Sequence, residues 1–233
     1  MTVYIADISE CNIFDCEGLL KNYEEGLPQT VTERVNAKKS PKARLESSVA
    51  YLLVREALSA AVGEKNAREQ LLSGLYFTDE GRPSFKNGDF DLSVSHSDGI
   101  CVAAVADNRM RIGIDVEEVN ERNVKTAESV LSRLINFSIP NGYTDDIRAL
   151  KFTKNGASPS GIFCGKPDGY DEKVMVGWTA LESALKCHGG GFSALKEATE
   201  VFRKIKQTSF TVRKNGKVFV VTLTEKKRGI FAP

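Results

Sequence analysis

The chain has 233 residues, 41% of them apolar and 27% charged, which is enough for one large domain or two small ones with buried cores. Its 32 lysines and arginines nearly balance 31 aspartates and glutamates, so no overall field draws the whole protein to nucleic acid or to an anionic membrane. There is no stretch of the ~20 apolar residues that span a bilayer and no signal peptide near Met1, which predicts a soluble, cytoplasmic protein. Five cysteines without zinc-like spacing suit packing roles in a reducing compartment: Cys11, Cys16, Cys101, Cys164 and Cys187.

The first half of the sequence predicts a strand, a long helix and two more strands. "TVYIADI", residues 2–8, alternates as a strand does. A helix follows, with Ser40 as its N-cap, Pro41 at its first position and Gly63 at its far end. "DFDLSVSH" and "GICVAAVAD" then form two strands joined by a polar turn.

The second half predicts a strand, two helices and a hairpin, interrupted by a long loop. "RMRIGIDVEEV" is a strand, and residues 121–135 have apolar side chains at helical spacing. Residues 136–173 are rich in Gly, Pro, Ser, Asn and Asp, which predicts a loop that is either functional or mobile. "VGWTALESALKCHGGGF" is a helix ended by glycines, and Asn215-Gly216 between alternating runs indicates a hairpin.

The order of these elements predicts an α+β fold made of two similar halves, each with a helix packed on a small antiparallel sheet. We place the N-terminal half at residues 1–107 and the C-terminal half at residues 108–233. The halves share no repeat at the level of residues, so an internal duplication rests on element order alone.

Two carboxylates in the strand "RMRIGIDVEEV" indicate a metal site. In an extended strand, Asp115 and Glu117 point the same way with backbones ~6.6 Å apart, and they repel each other if both are ionised. A magnesium ion, which prefers oxygen ligands and one or two protein carboxylates, resolves that conflict. The alternative is that Asp115 and Glu117 are a solvent-facing acidic pair. Glu182 and Lys186, one turn apart in the late helix, are likewise an ordinary surface ion pair when that helix is considered alone.

Four motifs in one order carry a family resemblance: "GRPSF", "LSVSHSDGICVAAV", "GIDVEE" and "WTALESALKCHGGGF". Together they resemble the signature of the 4′-phosphopantetheinyl transferases of the surfactin-synthetase type. The resemblance implies a pseudo-duplicated, two-lobed fold that works as a monomer. It also implies transfer of the phosphopantetheine arm of coenzyme A to a serine of an acyl or peptidyl carrier protein, with release of adenosine 3′,5′-bisphosphate.

The resemblance also implies roles for individual residues. Asp115, Glu117 and Glu182 are expected to bind the magnesium ion that holds the pyrophosphate of coenzyme A, with Glu182 also taking the serine proton. Lys186 is expected to pair with Glu182 and to face the charge that develops on the leaving group. His96 is expected to contact a phosphate of coenzyme A.

A second set of expected contacts is basic. Arg82, held between Gly81 and Pro83, suits a phosphate. The cluster "RVNAKKSPKAR" is expected to grip the 3′-phosphate of the nucleotide, or else to be a solvated face, through four candidates: Lys38, Lys39, Lys42 and Arg44.

Two positions depart from the family pattern: Leu181 stands where a lysine is common and Glu46 where an arginine is common. These departures motivate an alternative, a non-catalytic module that binds coenzyme A or a carrier, and a third reading is a magnesium-dependent pyrophosphatase. Carrier docking is predicted on the loop 136–173 or on "LKEATEVFRKIKQ".

Overall fold

A computed structural model describes residues 1–8, 26–134, 142, 146–153, 156–159, 162–189 and 205–228, with 151–153 and 156–159 described by their backbone alone. Cys11, Cys16 and all but the last three residues of "LKEATEVFRKIKQ" lie outside these ranges, as does part of the predicted loop 136–173. Cys101 and Cys187 are buried, in keeping with packing roles. None of the described helices has the length and apolarity needed to cross a membrane.

Five helices and eleven strands make up the described part of the chain. The helices are α1 (Gln29–Asn36), α2 (Pro41–Val62), α3 (Glu64–Glu69), α4 (Glu121–Leu131) and α5 (Tyr170–His188). The strands are β1 (Val3–Asp7), β2 (Leu75–Phe77), β3 (Pro83–Phe85), β4 (Phe90–Ser97), β5 (Ile100–Asp107), β6 (Met110–Glu118), β7 (Ile147–Thr153), β8 (Gly156–Pro159), β9 (Phe163–Gly165), β10 (Lys206–Lys214) and β11 (Lys217–Lys227).

The elements with strong sequence signals form as predicted. Helix α2 begins at Pro41, its N-cap Ser40 accepts a hydrogen bond from the backbone N–H of Ala43, and it ends at Gly63, where φ is +83°. Strands β1, β4, β5 and β6 match the predicted strands. The β10–β11 hairpin turns at Asn215 and Gly216, both with positive φ, as a two-residue hairpin turn requires.

Two main sheets confirm the α+β class. The first has the strand order β4-β5-β1-β7-β8 and the second the order β6-β11-β10-β9. The second sheet is antiparallel, but the first contains one parallel pair, β1 with β7, which corrects the expectation of purely antiparallel sheets. Strands β7 and β8 follow the boundary predicted at residue 107 and yet join the first sheet, and the internal duplication stays a prediction.

Strands β7, β8 and β9 lie in the range 136–173, so the prediction of a loop is wrong for these segments. Strands β8 and β9 are only four and three residues long, and β7 lies in a stretch otherwise rich in Gly, Pro, Ser, Asn and Asp, so none of them gave a clear strand signal. Pairing with β1 and β10 supplies hydrogen bonds that local propensity does not encode.

The core has four layers. Helix α2 packs on one face of the first sheet through Leu45, Val49 and Leu53. The other face of that sheet packs on the second sheet through an apolar cluster that includes Ile5, Val102, Ile112, Ile114, Phe210 and Phe219. Helices α4 and α5 cover the outer face of the second sheet. The candidate residues of β4 and β6 therefore lie where the two sheets meet.

Helix α5 lies unusually close to β6 at Gly113. A Cβ built on Gly113 would lie 2.6 Å from the backbone nitrogen of Cys187 and closer still to the carbonyl oxygen of Ser183. Only glycine permits this approach. Paired hydroxyls fix the helix on the sheet, with Thr179 bonded to Thr222 at 2.7 Å, and this position sets where Glu182 and Lys186 project.

Side chains of β4 accept hydrogen bonds from backbone N–H groups at the free edge of β6, whose other edge pairs with β11 in the second sheet. Asp91 accepts the backbone N–H of Ile112 at 2.7 Å, and Ser93 accepts that of Ile114 at 3.0 Å. Farther along, Ser97 accepts the N–H of Glu118 at 3.3 Å. This side-chain ladder stands in for a strand-to-strand ladder and joins the two sheets at the candidate site.

Replacing Ser93 with Ala should lower the free energy of unfolding by about 1–3 kcal/mol, because the buried N–H of Ile114 loses its acceptor. Urea unfolding measures the change. Ser129→Ala, at an exposed position of α4, is the matched control and should stay within about 0.5 kcal/mol of the parent protein. Equal stability of the two variants would show that the ladder is not needed at this position.

Candidate functional site

Three carboxylates from two elements converge at one point. Asp115 and Glu117 project from the same face of β6, and Glu182 projects from α5, which crosses that face at Gly113. Each offers one oxygen, and the three oxygens lie within 4.8 Å of one another. Asp115 is almost fully buried, whereas the two glutamates are partly exposed. The structure thus brings together the three acids that the sequence grouped, and their arrangement could hold a metal ion.

Lys186 closes one side of this acidic cluster. Its Nζ donates to Asp115 Oδ1 at 2.6 Å and to Ser95 Oγ at 2.9 Å. The close ion pair of Lys186 is therefore with Asp115. The reason is that Asp115 is the more deeply buried acid, so it has the greater need of a counter-charge. The expected pairing with Glu182, one turn earlier on α5, stays a prediction, although the charge of Lys186 also acts on Glu182.

Two serines of β4 orient the carboxylates of β6, and the sequence reading missed both. Ser95 donates to Asp115 Oδ1 at 2.9 Å, and Ser97 donates to Glu117 Oε2 at 3.0 Å. Strand periodicity is the signal that could have found them, since Asp91, Ser93, Ser95 and Ser97 recur every second residue on one face.

The glutamates of the cluster bind protons more tightly than usual. Burial, followed by the charge of Asp115, raises the pKa of Glu117 to about 7, against the hydrogen bond from Ser97. Burial and the charge of Asp115 likewise raise the pKa of Glu182 to about 7, and Lys186 opposes the shift. Three acids in one place are therefore hard to ionise together without a cation.

The donor set fits a hard divalent cation. Asp115 Oδ2 is buried and has no hydrogen-bond partner among the described residues, although Oδ1 of the same carboxylate has two. A buried oxygen left without a donor is costly, and a cation would satisfy it. All three ligand atoms are carboxylate oxygens, the class that hard cations prefer.

A second group of predicted residues gathers around His96. Glu46 Oε2 lies 3.1 Å from His96 Nδ1, while Lys38 Nζ and Ser47 Oγ lie 3.3 and 3.1 Å from Nε2. Glu46 is buried and also accepts the backbone N–H of Gly99 at 2.7 Å. The glutamate that departs from the family pattern therefore anchors the histidine and the turn that carries it.

A cavity of about 200 Å³ lies beside this histidine. Its polar lining includes Arg34, Lys38, Ser47, Tyr51, His96 and Lys186. Burial lowers the pKa of Lys38, and nearby Arg34 lowers it further, against the charge of Glu46. Arg34 begins the predicted basic cluster "RVNAKKSPKAR" but was not named among its candidates. Helix α1, which was not predicted, places it one helical turn before Lys38. The cavity is suited to an anion.

The other basic candidates lie apart from this cavity. Lys42 donates to Asp98 at 2.5 Å, and Lys217 of the β10–β11 hairpin bonds the same carboxylate. Lys39 is exposed, and Arg44 is partly buried at the start of α2. Neither is among the described residues that line the cavity, so their contacts to a nucleotide phosphate stay predictions.

Arg82 lies in the layer behind Lys186. Its buried guanidinium donates to Asp91 Oδ2 at 2.5 Å and to the Ile112 carbonyl oxygen at 3.1 Å, and it also bonds the carbonyl oxygen of Lys186. These contacts tie the end of α5 to β4 and β6. The expected phosphate contact of Arg82 stays a prediction, because the described contacts of this side chain are with protein groups.

Leu181 points away from the acids. It is fully buried in an apolar cluster with Leu185. The family pattern commonly has a lysine at this position, and Leu181 provides no cation that faces the carboxylates in its place.

No protein-family model matches the chain. Over an alignment of 96 residues, the chain is 30% identical to the 4′-phosphopantetheinyl transferase gsp of Aneurinibacillus migulanus. The alignment covers 37% of this chain and 39% of that protein, so the chain spans well under two thirds of the curated relative that it matches. The named activity of that protein is the one carried out by the family that the four sequence motifs resemble.

Proposed function

We propose that the chain transfers the 4′-phosphopantetheine group of coenzyme A to a serine of an apo acyl or peptidyl carrier protein, as a transferase of the surfactin-synthetase type. The observation that carries this proposal is the meeting of Asp115, Glu117 and Glu182 beside Lys186, next to a cavity lined by cations. The partial similarity to a named phosphopantetheinyl transferase adds to it.

In this proposal the serine oxygen attacks the phosphorus that carries the pantetheine arm, and the bond to the other phosphate of the pyrophosphate breaks. The serine proton goes to Glu182, whose pKa of about 7 suits a base that works near neutral pH. Adenosine 3′,5′-bisphosphate leaves with the bonding electron pair. The charge that builds on the leaving oxygen is stabilised by Lys186.

Asp115, Glu117 and Glu182 would hold a magnesium ion. When bound, the ion would neutralise the charge on the pyrophosphate of coenzyme A. Ser95 and Ser97 keep two of the three carboxylates in their orientation. His96, fixed by Glu46, and Lys38 would bind a phosphate of coenzyme A in the neighbouring cavity, with Lys39, Lys42, Arg44 and Arg82 as further candidates.

The cellular location, the assembly state and the carrier-docking surface complete the proposed function. We place the protein in the cytoplasm as a monomer, with the coenzyme contacts in the half 1–107 and the metal site in the half 108–233. The range 136–173 is the candidate surface for the carrier. Because strand β9 forms the edge of the second sheet, part of this range offers an ordered surface to a partner.

The direct test combines purified protein, coenzyme A, magnesium and an apo carrier, and follows the mass of the carrier. A gain of one phosphopantetheine group supports the proposal. An unchanged mass across several acyl and peptidyl carriers would overturn it, and binding of coenzyme A without transfer would favour a non-catalytic module. Release of adenosine bisphosphate without a carrier would instead indicate a pyrophosphatase.

Magnesium should raise the melting temperature more at pH 8 than at pH 5.5. The raised pKa values of Glu117 and Glu182 mean that the folded state holds protons that the unfolded state has lost, so metal-free stability falls as the pH rises from about 4.5 through 7. Magnesium needs these groups ionised and therefore binds better at pH 8.

At ten times its dissociation constant, the ion should stabilise the protein by about 1.4 kcal/mol, a rise in Tm of about 3–6 °C. Thermal melts with and without magnesium measure the difference. Glu117→Gln should remove most of it, whereas Glu121→Gln on the exposed face of α4 should not. An equal response at both pH values would argue against a carboxylate site.

A further inference from the structure

A basic groove lies at the opposite end of β6 from the acids. The basic groove is an open depression of about 1320 Å³. Among the described residues, its charged lining is made up of Arg111, Lys206, Glu225, Lys226, Lys227 and Arg228, with His188 beside them. Glu225 is the one carboxylate among the described lining residues, and it pairs with Lys206 at 3.4 Å. The chain as a whole has a net charge of only +1, so this concentration of cations is local.

At the base of the groove, one buried carboxylate forms ion pairs with three guanidinium groups. Asp91 is 1% exposed and lies 2.5 Å from Arg82, 3.2 Å from Arg228 and 3.8 Å from Arg111. A single negative charge cannot neutralise three positive ones. Burial and the nearby charge of Arg82 lower the pKa of Arg111, against the charge of Asp91, as expected where cations crowd together away from water.

The neighbouring helix end does not remove this surplus. Helix α5 ends at His188, and its last turn carries only about half a negative charge. Arg82 already bonds the carbonyl oxygen of Lys186 in that turn. Among the described residues, Lys226 and Lys227 have no ion-pair partner within 4 Å, so the described lining of the groove carries an excess of positive charge.

Arg111 and Arg228 are placed to bind a ligand. Their side chains are 35% and 38% exposed and converge on the same oxygen of Asp91, so each guanidinium has further N–H groups open to the groove. Lys226 lies directly across from Arg111 in the β6–β11 pair, which puts both on one face of the sheet. Guanidinium forks match the oxygen pairs of phosphates.

We propose that the basic groove is a second anion site, which binds a small molecule with two or more linked phosphates through Arg111, Arg228 and Lys226. More than one uncompensated charge favours an oligophosphate over a single carboxylate. The site is separate from the proposed transfer site, because Gly113 and the overlying backbone of α5 lie between Arg111 and Asp115 on the same face of β6.

The test measures binding of inorganic tripolyphosphate by calorimetry, without divalent ions, coenzyme A or carrier. Arg111→Gln and Arg228→Gln should each weaken binding about 10-fold or more, since each removes a charge-assisted contact, and the double variant should weaken it further. Arg109→Gln is the matched control: it lies two residues from Arg111, is 84% exposed and pairs with Asp107, and should leave binding unchanged.

The variants should fold, because Asp91 keeps Arg82 and the N–H of Ile112, and thermal melts check this. The Lys38→Gln variant tests whether tripolyphosphate binds instead in the cavity beside His96. Loss of affinity in that variant but not in Arg228→Gln, or equal loss in Arg109→Gln, would overturn the proposal. So would tighter binding of a polyglutamate peptide, which would assign the groove to an acidic protein segment. None of these results depends on transferase activity.

Discussion

Replacing Glu182 with Gln should reduce transfer of phosphopantetheine by about 100- to 1000-fold, the range found when one electrostatic contact to a transition state is removed. The neutral amide cannot take the serine proton, and it weakens one of three positions that would hold the metal. Its shape is nearly that of the glutamate, so the fold and the neighbouring cavity stay intact. The rate at which a carrier gains mass measures the loss.

Two controls make this result specific. Glu121→Gln removes a carboxylate that is 82% exposed on α4 and should leave the rate unchanged. Binding of coenzyme A without magnesium should be nearly the same in Glu182→Gln and in the parent protein, because the cavity beside His96 does not include Glu182. A variant with full activity would remove Glu182 from the mechanism.

The acidic cluster could be predicted because strand periodicity pairs two of its acids and the family resemblance supplies the third. An extended strand puts Asp115 and Glu117 on one face whatever the surroundings, and motif order brought in Glu182. The ion pair of Lys186 with Asp115 was not predicted, because helical spacing shows only which residues are neighbours on the helix. It does not show that a buried acid of β6 lies within reach of the lysine.

Contacts between segments that are distant in the chain were harder to predict from the sequence. In the sequence, Glu46 was only a departure from the family pattern. In the structure it lies on α2, 50 residues before His96, and pairs with that histidine. Arg34 belongs to the predicted basic cluster but was not named as a candidate because the short helix α1 was not predicted, and strands β7 to β9 were read as loop. These elements exist because of pairing with distant strands or packing on α2, which local patterns do not record.

Replacing Gly113 with Ala should give the largest loss of stability of any single change considered for this protein. The added Cβ would lie 2.6 Å from the backbone nitrogen of Cys187 and 3.0 Å from the carbonyl carbon of Ser183. Backbone atoms cannot move aside as a flexible side chain can, so α5 must shift away from β6. Overpacking typically costs ~1–3 kcal/mol, and we expect a loss at or above the upper end of that range.

The same shift should damage the acidic cluster, because Glu182 and Lys186 directly precede Ser183 and Cys187, the two residues of α5 that contact Gly113. Urea unfolding measures the stability, and the thermal response to magnesium reports on the cluster. Gly74→Ala is the matched control, since its added Cβ would meet only Phe85 at an ordinary 3.7 Å. If Gly113→Ala were as stable as that control and responded to magnesium like the parent, the close approach of α5 would not be what positions the acids.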